Sequence, residues 1–102
     1  MEYIDELRDA IQSLHGCEAE HVATLPVKEV FQGQTVWQGD VEAFDLRGHP
    51  TAKRCYAWAH ATGTGDKDKR YVAVLELPPV DSAQTAVRAA IIDEARKQQK
   101  GN

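Results

Sequence analysis

The chain is poor in the residues that would disclose a function. It has only two cysteines, Cys17 and Cys55, too few for the disulfide framework of a small secreted scaffold. No apolar run approaches the roughly 20 residues of a membrane-spanning helix, so no membrane partner is expected. The start, MEYIDELRDAIQ, is acidic and amphipathic, unlike the basic start and apolar centre of a secretory signal. These absences predict a cytoplasmic protein with reduced thiols. No tract is rich enough in glycine, proline or serine to make a linker, and no internal repeat is present, so residues 1–102 are read as a single domain.

Positive charge is scarce in the first half. Residues 1–46 carry ten acids against Arg8 and Lys28, a balance of −8, whereas residues 47–102 carry six acids against ten bases, a balance of +4. The net charge of −4 disfavours a general nucleic-acid binder, whose affinity comes from a Lys/Arg-rich face.

What is present reads as helix, four strands, helix. Ile4, Leu7, Ile11 and Leu14 lay a stripe down a helix over residues 2–15 that Gly16 stops. Residues 21–31, interrupted by Pro26, suit an edge strand or two pieces around a bulge. Residues 35–46 alternate, with Trp37, Val41 and Ala43 on one face and Val36, Glu42, Phe44 and Leu46 on the other. Gly39 there marks a bulge or a close approach to the backbone.

In residues 54–60, Cys55, Ala57 and Ala59 oppose Tyr56, Trp58 and His60. A glycine-containing loop leads to a return strand over 70–77, with Trp58 expected opposite Ala73 and Tyr56 opposite Leu75. Pro78-Pro79 ends that strand. A last helix is capped by Asp81 or Ser82, with Asp81 and Gln84 at capping-box spacing, and carries a stripe of mostly alanines. The predicted fold is α+β: a two-layer sandwich, a meander of about four antiparallel strands with both helices on one face.

This element order resembles a double-stranded RNA-binding domain with one strand added. The resemblance implies RNA contact, for which Lys53, Arg54, Lys67, Lys69 and Arg70 are the available cations. The last helix begins Asp81-Ser82-Ala83-Gln84, without the basic cluster by which that family holds phosphate. RNA or single-stranded nucleic acid is therefore kept as the alternative function.

Signatures of chemistry are weak. His15-x-Cys17-x3-His21 and His49-x5-Cys55-x4-His60 contain metal-ligating types at no standard zinc spacing, so no metal is assigned. Cys17 with His15 or His21, and Cys55 with His49 and Asp45, lack any feature that would lower a thiol pKa. Gly63-Thr64-Gly65 has neither the lysine nor the following helix of a P-loop. No cofactor is expected and an enzyme is disfavoured. The leading expectation is a small non-enzymatic module that binds a protein or small ligand and forms a homodimer through an aromatic sheet face or an edge strand. Trp37, Tyr56, Trp58 and Tyr71 would supply the aromatic face, with Arg54 and His60 at its rim. The competing reading puts these aromatics in the core beneath the helices.

Overall fold

The structure, a computed structural model, describes residues 2–61 and 69–100. Helix α1 (Glu2–His15) leads into β1 (Glu18–Phe31), β2 (Gln34–Arg47), β3 (Arg54–Ala61) and β4 (Lys69–Leu75), and helix α2 (Ala83–Lys100) closes the chain. The strands form one antiparallel sheet in the order β1-β2-β3-β4. The α+β class, the meander and the element order are those expected. No described helix is long and apolar enough to cross a membrane.

The helices do not share a face. Leu7 and Ile11 of α1 are buried with Phe44, Cys55 and Ala57 on one side of the sheet. Ala83, Ala86 and Val87 of α2 are buried with Val41, Ala43, Tyr56 and Trp58 on the other. The reason is visible strand by strand: both alternation sets of β2 and β3 are apolar, so both faces need cover. Residue size decides which helix goes where. The large side chains of α1 fall on the small residues of β3, and the alanines of α2 fall on its aromatics.

Gly16 takes a left-handed φ of 68° and its amide donates to the Gln12 carbonyl at 2.8 Å, ending α1 as a C-terminal glycine does. Leu14, expected on the apolar stripe, is exposed. Strand β1 is an edge strand, as Pro26 requires, but it is one long strand with register shifts between His21 and Ala23 and between Glu29 and Val30. The extra residue, Val22, moves Ala23, Leu25 and Val27 to the α2 side while His21 stays on the α1 side.

The β3–β4 register pairs Trp58 with Val72 and Tyr56 with Val74, one residue from the expected pairing. That slip exchanges the faces of β4. Val72 and Val74 join the tryptophan side, whereas Tyr71 goes to the α1 side, where its hydroxyl donates to Glu6 at 2.8 Å. At the start of α2 the capping pair is Ser82 with Thr85: the Thr85 amide donates to Ser82 Oγ at 3.2 Å, and the Ser82 amide donates to Thr85 Oγ1 at 3.0 Å. Gln84 instead reaches β1, donating to the Lys28 carbonyl at 3.1 Å.

Candidate functional site

The sheet is forked. The β2–β3 pairing runs only from Asp45↔Arg54 to Glu42↔Ala57, although β2 continues back to Gln34 and β3 onward to Ala61. Beyond Glu42 the two hairpins diverge, and the gap fills differently on each side.

On the α2 side, Trp37 and Trp58 meet across the fork edge to face, centroids 5.6 Å apart and planes at 67°. The Trp37 ring folds back over Gly39, where a β-carbon would come within 3.2 Å of it. This is the close approach that a glycine in mid-strand suggested. Trp58 is 3% exposed and Tyr56 4%, and both lie in the core cluster covered by α2. The expectation of a bare aromatic face is therefore corrected: the face is covered, and Tyr71 lies on the opposite one.

The cover is incomplete. Between α2 and the sheet a cleft of about 660 Å³ opens, floored by Trp37 and Trp58 and walled by Val36, Val72 and Val74 on the sheet and by Val87, Ala90 and Ile91 on α2. Small ligands ordinarily occupy apolar concavities of this size. Its cause is the alanine content of α2. Ala89 and Ala90 give too little volume to fill the space above a fork that widens toward the strand ends. His15, Asp93 and Glu94 stand at its margin.

The β4 edge bordering this region is occupied by one side-chain contact and one backbone turn. His15 Nε2 donates to the Ala73 carbonyl of β4 at 3.2 Å, and the Leu77 amide turns back to the Leu75 carbonyl at 2.9 Å. Such contacts occupy groups that would otherwise template another strand.

On the α1 side the fork is polar. Glu42 is buried, 5% exposed; it accepts from His21 Nε2 at 2.8 Å and from the Thr24 hydroxyl at 2.5 Å. The His21 ring meets Phe44 edge on at 5.4 Å. No sequence pattern announced this trio, because the bulge at Val22 sets which residues of β1 face Glu42.

Of the remaining expected site residues, Arg54 comes beside Tyr56 and Glu76. Arg54 donates through Nε and Nη2 to Asp45 Oδ1 at 3.1 and 3.0 Å, so its charge is neutralised within the sheet. Lys53 and Arg54 stand at the start of β3, while Lys69 and Arg70 pair with its end at Ala61 and His60. Seven strand residues, roughly 20 Å, separate the two pairs, so Lys53 and Arg54 do not lie at the same end of β3 as Lys69 and Arg70. Lys67 lies outside the described residues, and so do the side chains of His60, Lys69 and Arg70.

Cys17 and Cys55 come into one buried cluster on the α1 side. Burial raises both thiols, with Cys55 pushed up to about 12 by desolvation and then by the neighbouring Cys17. Thiols held protonated are poor nucleophiles. His49 Nδ1 accepts the Ala52 amide at 2.8 Å in the β2–β3 turn, a structural role. Among the described residues no three His, Cys, Asp or Glu side chains are placed to hold a metal ion. Tyr56 donates its hydroxyl to Glu76, and burial followed by that bond pushes its pKa up to about 12.

Comparison with protein-family models, curated proteins and solved structures finds no match.

Proposed function

We propose that the chain is a small non-enzymatic binding module whose site is the cleft between α2 and the sheet, and that it takes a small, largely apolar ligand there. The observation that carries this reading is a concave surface of ligand size with the two tryptophans at its floor. Chemistry on a bound ligand is disfavoured by the lining, which is mostly hydrocarbon, and by the burial that raises the pKa of the two thiols on the other face.

Titration with 1-N-phenylnaphthylamine tests the reading, since that probe brightens in apolar sites and accepts energy from tryptophan. The expected result is saturable binding with quenching of indole emission, weakened by Ala90→Leu, which narrows the cleft. Absence of saturable binding by the unaltered chain would overturn it.

A homodimer is the second reading, favoured by Val30, Phe31 and Val36, three exposed apolar residues at the β1–β2 hairpin end. Light scattering of the chain and of Phe31→Ser checks it: a dimer that the substitution dissociates is expected, and a monomer at high concentration would refute it.

A further inference from the structure

We infer that two copies of the chain close each other's cleft: Phe31 of one protomer enters the cleft of its partner and the reverse, so self-association and ligand binding compete. The inference rests on the cleft and dimer readings above and adds what the dimer does to the site. Phe31 is the last residue of β1 and is 64% exposed. Glu29, two residues earlier, accepts from Arg88 of α2. The extra residue at the register shift there is Val36 of β2, so alternation along β1 is undisturbed and Phe31 shares the α2 face with Glu29. It pairs with Gln34, and Val36, in the cleft wall, stands two residues farther along β2, roughly 7 Å of strand. Phe31 is not itself among the described residues that line the cleft. The ring stands beside an apolar space that it leaves empty.

A twofold contact needs knob and hole within one patch, because both protomers use the same surface. The hairpin end supplies both. Gln32 and Gly33 turn it with φ of 53° and 77°, a two-residue turn of left-handed residues. Phe31 is therefore held out by paired strands and gives up little freedom on burial. Apolar cavities of about 150 Å³ already take a benzene ring, and the cleft has about 660 Å³. Area sets the strength. Phe31, Val36 and Ile92, the last beside the wall residue Ile91, are the exposed large apolar side chains here. Even if each counted as the roughly 250 Å² of a large aromatic, half exposure leaves the three short of the roughly 800 Å² that each partner gives to a stable interface. The dimer is therefore weak and reversible, and a ligand of the cleft takes it apart.

The test runs light scattering and 1-N-phenylnaphthylamine titration together over about a hundred-fold range of chain concentration. Only the monomer offers an empty cleft, so the apparent affinity for the probe follows the monomer fraction. That fraction falls as the square root of concentration once dimer dominates. Half-saturation is therefore expected to need on the order of ten-fold more free probe at the top of the range, and saturating probe should return the scattering mass to that of a monomer. Phe31→Ser is expected to be monomeric and to bind the probe equally well at every concentration. Ala90→Leu, inside the cleft, should weaken the dimer as well as probe binding. A dimer that Ala90→Leu leaves intact, or one whose probe affinity ignores concentration, would overturn the insertion while leaving the dimer in place. A monomer at every concentration that binds the probe would remove the dimer reading and this inference but keep the cleft. If neither the unaltered chain nor Phe31→Ser binds the probe, the cleft reading and this inference fall together.

Discussion

On the α1 side of the sheet, Leu7 and Ile11 drop onto Cys55 and Ala57, and all four are at most 1% exposed. On the α2 side, Ala86 faces Trp58 and the interior closes near the helix start, but the space over the fork stays open. Large-on-small packing with branched side chains fills volume; alanine on indole leaves some unfilled once the strands beneath spread apart. The difference teaches that one sheet can be sealed for stability on one face and left incomplete for binding on the other, with the same strands serving both.

The strongest way to break this contrast is to cut into the sealed side. Phe44→Ala should lose about 3–5 kcal/mol in a denaturant titration, the usual cost of deleting a buried aromatic. Overfilling separates the two faces next. Ala57→Leu, on the sealed side, should cost about 1–3 kcal/mol through strain. Ala90→Leu, in the cleft wall, should be tolerated within about 1 kcal/mol, because it enters space already empty. Equal losses from the two leucines would erase the distinction.

Alkaline pH divides the faces by a different property. Cys55 on the α1 side and Tyr56 on the α2 side both have folded pKa values of about 12, above their unfolded values of about 8.5 and about 10. Groups raised in this sense contribute stability that is whole below the unfolded pKa and is lost as pH rises toward the folded one. Stability should therefore decline from near pH 8.5 onward, with both buried thiols contributing, and Cys55→Ala should make the decline below about pH 10 shallower, read by thermal melts across that range.

Smaller effects belong to the tethers between helices and strand edges. His15→Ala should cost about 1 kcal/mol for the lost bond to Ala73. Arg88 donates to Glu29 at 2.8 Å and holds its carboxyl below the usual range. That contribution is present above the unfolded pKa of about 4.3 and is lost as pH falls, so Arg88→Met should flatten part of the acid limb of the melting curve.

Much of the fold was legible because it depended on local patterns. The α1 stripe, the stop at Gly16, the edge position imposed by Pro26, the parity of β2 and β3 and the break at Pro78-Pro79 each follow from a few neighbouring residues. The site was less legible for reasons that are also physical. A bulge at Val22 and a one-residue difference in β4 register exchange faces without leaving any mark on composition. The tryptophans were rightly singled out as a pair on one face, yet their burial depends on which helix crosses them. The useful signal was the mismatch of size: a helix of alanines has to meet the aromatics, and two indoles beside a widening fork cannot pack solid with methyl groups. The Arg54–Asp45 pair was not legible because Asp45 is nine residues away along the chain and adjacent only once β2 and β3 pair.

The fork leaves one further mark. Past Glu42, β3 has no ladder partner on its β2 side, and the amide of Ala59 donates instead to the Tyr3 hydroxyl at 3.0 Å. A hydrogen that would ordinarily exchange with solvent only when a sheet comes apart is here guarded by a phenol on the first turn of a helix. Its exchange rate becomes a gauge of that helix end lifting away, readable while every strand stays in place.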